Sequence, residues 1–229
     1  MKLMNRKEFL FITKSLVCSL FYFGINPLSL SGKSKDRPLV PLNTELSKIQ
    51  IIYASFHGST AQIAEYMGKK LEKIGISVSV KSIDDDIDFT ACNGIIMGAP
   101  IHRGKWMTEA EEYIKKHSKK LEQLPFACFY TCMSKAKQPP SKDTLDELSS
   151  YQSAMADLFP TLSPSHIGSF AGVLDYDKCS FLAKLVMWSI LSKNDLEAGD
   201  YRDWQAIEKW LSFTTNYLIS ENTLKQAKV

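Results

Sequence analysis

The 229-residue chain lacks the motifs of the best-known nucleotide-binding folds. It contains neither the G-x-x-x-x-G-K-[ST] sequence of a P-loop nor the G-x-G-x-x-G sequence of a dinucleotide-binding fold. Cysteine is scarce, and the five residues are thinly scattered: Cys18, Cys92, Cys128, Cys132 and Cys179. A metal centre or a disulfide framework would need closer or better-paired ligands. We therefore expect buried thiols and no metal site. The histidines identify no general base, so no catalytic residue is predicted.

The charge of the chain is unevenly distributed. Residues 1–44 hold seven Lys and Arg against two acids, a net charge of +5, whereas the rest holds 21 basic and 23 acidic residues, a net charge of −2. A basic surface for nucleic acid is therefore absent once the N-terminal segment is set aside, and we predict no nucleic-acid partner.

The N-terminal segment is a candidate targeting signal. Asn5–Phe11 (NRKEFLF) precedes an apolar stretch from Ser15 to Leu30, which resembles a twin-arginine export signal with Lys7 at the second arginine. Small residues at Ser29 and Ser31 favour cleavage, and an uncleaved membrane anchor is the alternative. We predict export or membrane attachment through residues 1–31. A linker (32–46), a domain (47–220) and a tail (221–229) follow.

After this segment, apolar strand-like runs alternate with amphipathic helical repeats. The predicted strands are 48–54, 76–83, 93–99, 125–132 and 165–174, and the predicted helices are 60–74, 106–121, 141–158, 179–192 and 200–219. This alternation predicts a parallel sheet with helices on both faces. Ligands of such folds bind at the carboxyl ends of the strands. The acidic run Asp84–Asp88 is interpreted as a solvated turn.

The segment Ser55-Phe56-His57-Gly58-Ser59-Thr60 joins the first strand to the first helix. Backbone amides, a glycine and hydroxyl side chains at a helix N-terminus suit an anion. Without a lysine, the segment suits a phosphate monoester better than a triphosphate. The alternative is an ordinary turn capped by Ser or Thr.

Two further strand-end segments accompany this loop: Ala99–Trp106 (APIHRGKW) and Thr131–Lys135 (TCMSK). Together the three resemble the flavodoxin-like flavoproteins. The resemblance implies a three-layer α/β/α sandwich with a five-stranded parallel sheet in the order 2-1-3-4-5, binding FMN. Phosphate contacts would come from Ser55, His57, Gly58, Ser59 and Thr60. Ring contacts would come from Pro100, Ile101, His102, Arg103, Gly104, Thr131 and Met133. Trp106 and Tyr130 are candidates to pack on the ring, or core residues instead.

Ala171–Asp177 (AGVLDYD), Phe181–Leu191, Asp203-Trp204 and Ile95–His117 are similar to the menaquinone-dependent protoporphyrinogen oxidase branch. That resemblance implies an FMN-dependent oxidoreductase with a quinone or redox-protein partner and a porphyrin as substrate. Phe181–Leu191 would rest on a membrane surface or cover the sheet. The cations Arg103, Lys105, Lys135, Lys137 and Lys142 would raise the flavin potential and receive propionates, or form a solubilising rim.

The predicted location bears on the activity. The branch implies the cytoplasmic face of the inner membrane, whereas a cleaved export signal favours an extracytoplasmic flavin electron carrier or reductase. An interaction module that has lost FMN is a third alternative, because a fold does not by itself establish a function.

Overall fold

Five parallel strands form the central sheet of the computed structural model, which describes residues 48–136, 139–159, 166–174 and 197–226. The strands are β1 (Lys48–Tyr53), β2 (Ser77–Ser82), β3 (Gly94–His102), β4 (Lys105–Trp106), β5 (Phe126–Thr131), β6 (Ile167–Phe170), β7 (Val173–Leu174) and β8 (Gly199–Asp200). The helices are α1 (Ser59–Lys73), α2 (Thr108–Leu121), α3 (Lys142–Leu158) and α4 (Trp204–Gln226).

The main sheet has the order β2-β1-β3-β5-β6, with every neighbouring pair parallel. Counted among these five strands alone, this is the predicted order 2-1-3-4-5, which is confirmed. A sixth short strand, β4, pairs antiparallel with the end of β3. The strand predicted over 165–174 divides instead, because β6 ends at Phe170 and β7 pairs with β8 in a separate ribbon. The helix predicted over 179–192 lies outside the described residues.

The apolar strand residues face two separate cores, one on each side of the sheet. In β1, Ile51 and Ile52 are both fully buried but point to opposite faces, as the two-residue repeat of a strand requires. Ile51 packs with α1 and α4, whereas Ile52 packs on the face covered by α2 and α3. The molecule is therefore a three-layer α/β/α sandwich.

The acidic run binds the backbone of its own turn. The carboxylate of Asp85 accepts a hydrogen bond from the Ser82 amide (2.8 Å), and that of Asp88 accepts from the Thr90 amide (2.9 Å). Within the described ranges, no three His, Cys, Asp or Glu residues are placed to hold a metal ion. None of the helices described there is long and apolar enough to cross a membrane.

Helix α3 begins at a side-chain cap that permits a stability test. The Ser141 hydroxyl accepts a hydrogen bond from the Thr144 amide (3.2 Å), which satisfies one of the unpaired donors of the first turn. We expect Ser141→Ala to lower the free energy of unfolding by about 1 kcal/mol in urea denaturation. Ser149→Ala, at an exposed position inside the same helix, is the control and should cost nothing. Equal losses for both variants would contradict a capping role.

Candidate functional site

Three loops meet at the carboxyl edge of the sheet, because they follow the parallel strands β1, β3 and β5. The first loop is 54–58, the second is the turn between β3 and β4, and the third begins at residue 132. β1 lies at the point where strand order reverses, with β2 on one side and β3 on the other. This is the part of an open α/β sheet where ligands bind.

The first loop is a turn closed by its own hydrogen bond. The Ser55 hydroxyl accepts a hydrogen bond from the Gly58 amide (3.0 Å). Gly58 has a φ of +86°, a left-handed conformation that glycine adopts without strain, and it occupies the N-cap position of α1. A Cβ at Gly58 would meet nothing within 4 Å, so this part of the loop borders open space.

The N-terminus of α1 differs from those of the other described helices. It has neither a side-chain cap nor an acidic residue in its first turn. Among those helices, α2 carries Glu109 and Glu111 in its first turn, α3 is capped by Ser141, and Asp203 accepts from the Ala206 amide at the start of α4 (2.9 Å). The partial positive charge of α1 is therefore not neutralised by a carboxylate of its own first turn, which suits an anionic ligand.

The hydroxyls at the start of α1 have partners elsewhere in the fold. Ser59 Oγ accepts a hydrogen bond from the Val173 amide (2.9 Å). Thr60 Oγ1 is 2.8 Å from Thr131 Oγ1, and both side chains are buried. Thr60 thus connects the first loop to the end of β5. His57 is exposed, in contrast to these hydroxyls.

The second loop is a β-hairpin rather than an irregular segment. Ile101 pairs with Trp106 and His102 with Lys105, and the turn between them is made by Arg103 (φ +52°) and Gly104 (φ +78°). Two successive positive φ values are the signature of the tight turn that matches strand twist. His102, Arg103, Gly104 and Lys105 are exposed, whereas Pro100 and Ile101 are half-buried.

The two aromatic residues predicted as ring-packing candidates lie in the core. Trp106 is 5% exposed, and its indole Nε1 donates to the Ala99 carbonyl (3.2 Å). Tyr130 is 2% exposed and packs edge-on against Tyr151, with 6.1 Å between ring centroids. Packing in the core is one of the two roles that the sequence left open for Trp106 and Tyr130, and packing on a ring is the other. Their contact with a flavin stays a prediction.

The third loop begins with a buried thiol and continues into a short 3-10 helix. Burial raises the pKa of the Cys132 thiol to about 11 and also raises the pKa of the Tyr130 phenol. Neither group therefore ionises near neutral pH, and neither is suited to general-base chemistry there. Met133, the first residue of the 3-10 helix Met133–Ala136, is half-buried and presents an apolar side chain at this edge.

Phe56 was given no role on the basis of the sequence, although it is a large exposed aromatic residue of the first loop. Its side chain is 46% exposed, and its ring centroid lies 4.7 Å from that of His102 on the hairpin. This contact connects the first loop to the second. A bulky aromatic between polar loop residues was the signal in the sequence that could have identified it.

Gly172 and Val173 were noted only for their resemblance to a family branch. The structure places both residues beside the first turn of α1. Val173, which contacts Ser59, lies 114 positions from it in the sequence. No local pattern reveals such a contact, because it depends on where the β7–β8 ribbon returns to the sheet.

A family model described as a flavodoxin domain matches residues 50–199. The chain belongs to the flavodoxin-domain family. In Escherichia coli (strain K12), a relative named protoporphyrinogen IX dehydrogenase [quinone] is 25% identical over 167 residues, which cover 70% of this chain and 90% of the relative. A Leishmania major relative of the same name is 23% identical over 176 residues, covering 72% of this chain and 73% of the relative.

Solved structures of flavodoxins are also similar to this chain. The structure of oxidised flavodoxin 2 from Bacillus cereus matches 75% of this chain and 97% of its own, at 17% identity and a TM-score of 0.42. The predicted resemblance to flavodoxin-like proteins near the protoporphyrinogen oxidase branch is confirmed by the family match and the curated relatives. The protein is thus a flavodoxin-like oxidoreductase, and its family indicates a flavin cofactor.

Proposed function

We propose that this protein binds FMN and uses it to transfer electrons. The observation that carries the proposal is the N-terminus of α1, which is uncapped, free of acidic residues and preceded by the closed Ser55–Gly58 turn. A phosphate is the part of FMN that such a terminus suits. The other two loops lie at the same edge of the sheet and are available to the ring.

The residues of the first loop fit a phosphate monoester by their chemistry. Backbone amides at the start of α1 are suited to donate to a phosphate. The Ser55 and Ser59 hydroxyls each accept from a backbone amide and keep their own hydrogen to donate, whereas the Thr60 hydroxyl is buried against Thr131. Gly58 carries no side chain, and its position in the loop borders open space. The segment Ser55–Thr60 contains no lysine, the residue that would favour a triphosphate.

The second and third loops would hold the ring. The backbone of 99–104 reaches the edge of the sheet, and Met133 offers an apolar contact. Bound FMN supplies the two-electron redox chemistry. The exposed cations Arg103, in the hairpin turn, and Lys105, beside it, would favour a reduced, anionic ring, which raises the reduction potential. About 1.4 kcal/mol of such stabilisation corresponds to about 30 mV.

As the specific activity, we propose the oxidation of protoporphyrinogen with a quinone as acceptor. Its support is the name borne by the E. coli and L. major relatives. Removal of six electrons and six protons would convert the substrate to protoporphyrin and reduce three quinones to hydroquinones. The hairpin cations would receive the anionic propionates of the porphyrin.

The N-terminal sequence supports a second candidate, a flavin electron carrier or reductase outside the cytoplasm. Residues 1–31 resemble an export signal. We propose export or membrane attachment through this segment, and the cytoplasmic face of the inner membrane as the alternative location. Cell fractionation with N-terminal sequencing of the mature protein separates the two locations.

A visible spectrum of the purified full chain tests the FMN proposal. Flavin absorbance bands, and a phosphate-dependent preference for FMN over riboflavin, are expected. A colourless protein that ignores added FMN would instead favour an interaction module. Turnover of protoporphyrinogen with a menaquinone analogue then separates the oxidase from a carrier, which would exchange electrons without consuming the porphyrin.

A further inference from the structure

We propose that Gly172 and the Val173 amide, at the start of the β7–β8 ribbon, position the Ser59 hydroxyl to donate a hydrogen bond to the phosphate. The inference rests on the proposed function, because it concerns how the same site holds FMN. It assigns a role to two residues that follow β6 and that would not themselves contact the ligand.

The direction of one hydrogen bond carries the first step. The Val173 amide donates to Ser59 Oγ at 2.9 Å, so the serine oxygen accepts in this contact. A hydroxyl has a single hydrogen to donate, and here that hydrogen is left for another partner. Phosphate oxygens only accept. The Val173 amide therefore leaves Ser59 as a donor at the N-terminus of α1.

The second step is the close approach of Gly172. A Cβ on this residue would lie 2.9 Å from Ser59 Oγ and 3.7 Å from Ser59 Cβ. The first distance is too short for an unstrained contact, whereas the second is ordinary van der Waals contact. Glycine at 172 therefore lets the ribbon approach the serine without displacing its hydroxyl.

The ribbon is held in place independently of Ser59. The Tyr201 amide donates to the Gly172 carbonyl (3.1 Å), and Val173 pairs with Asp200. Arg202 donates from Nη1 to the Gln62 amide oxygen on α1 (2.5 Å) and from Nε to Asp200 Oδ1 (2.8 Å). Hydrogen bonds from Arg202 hold the pKa of Asp200 below its usual value, so this carboxylate stays charged and bound.

The ribbon thus attaches to the first turn of α1 at two residues, Ser59 and Gln62. If this attachment were purely structural, disturbing it would weaken the binding of FMN and of riboflavin equally. A positioning role affects only the part of the ligand that Ser59 touches, which is the phosphate. The comparison of FMN with riboflavin, which lacks the phosphate, distinguishes the two.

The test compares Gly172→Ala with Gly199→Ala in the full chain, by fluorescence titration with FMN and with riboflavin. Gly199 lies in the same ribbon, but a Cβ there would meet no atom closer than 3.7 Å. Gly172→Ala should weaken FMN binding about tenfold, the loss of one hydrogen bond to a charged group, and leave riboflavin binding unchanged. Gly199→Ala should change neither affinity.

A double variant tests whether Gly172 acts through the serine. In a Ser59→Ala background, Gly172→Ala should cause no further loss of FMN affinity, because the atom that a new Cβ would displace is gone. An equal loss for both flavins, an unchanged FMN affinity in Gly172→Ala, or additive losses in the double variant would each overturn the inference. If the unaltered chain binds neither flavin, the proposed function itself fails.

Discussion

Replacing Gly58 with valine should weaken FMN binding about a hundredfold or more. Gly58 has a φ of +86°, which a β-branched residue adopts only with strain, so the loop backbone would shift. Two amide hydrogen bonds to a charged phosphate, each worth about 1.5 kcal/mol, would account for a loss of this size. The dissociation constant of FMN, measured by fluorescence titration, is the readout.

Gly75 provides a matched control for this experiment. It has a φ of +84° and follows the other end of the same helix, α1. Gly75→Val should strain the chain to a similar degree and lower its stability, but should leave FMN affinity unchanged. If Gly75→Val released FMN as effectively as Gly58→Val, the loss would reflect helix stability, and our placement of the phosphate would be wrong.

Replacing Gly98 with alanine should lower the free energy of unfolding by about 3 kcal/mol. A Cβ at this position of β3 would lie 2.0 Å from Phe129 Cζ. Phe129 is fully buried and packs against the rings of Phe170 and Trp210, so it has no space into which to move. Urea denaturation followed by circular dichroism measures the loss.

Gly94, at the start of the same strand, is the control for Gly98. The nearest atom to a Cβ at Gly94 is Leu218 Cβ at 3.2 Å, a contact that a small shift relieves. Gly94→Ala should therefore cost clearly less. Gly98→Ala combined with Phe129→Leu should recover part of the lost stability, because the smaller side chain vacates the space. A double variant no more stable than Gly98→Ala would show that the clash with Phe129 is not the cause.

Much of the fold could be predicted because the main strands are either rich in apolar residues or, like β2, alternate polar with apolar residues, and because each helix has one apolar face. The predicted strand 48–54 and the predicted helix 60–74 match β1 and α1 to within a residue. The β3–β4 hairpin was missed, because Trp106 was assigned to the start of a helix. Its turn uses Arg103 at a positive φ, where a sequence signal would normally be Asn or Asp before glycine.

The candidate site could be predicted to the level of its loops but not of all its side chains. Strand ends are local features, so the first and second loops could be located from sequence. Whether Trp106 faces the core or the ligand depends on a neighbour, Phe159, that lies far along the chain. The partner of Ser59, Val173, is still more distant in the sequence. Contacts of this kind follow from tertiary packing and leave no local signature.

The hydrogen bond between Ser55 and Gly58 fixes the shape of the first loop, and it should also affect the kinetics of FMN binding. A loop that is already closed has lost its backbone freedom during folding, so the ligand does not bear that entropic cost when it binds. On the proposed function, the phosphate of FMN should therefore meet preorganised donors in one bimolecular step. The observed rate of association should then rise linearly with FMN concentration, without the plateau that a slow loop rearrangement would impose.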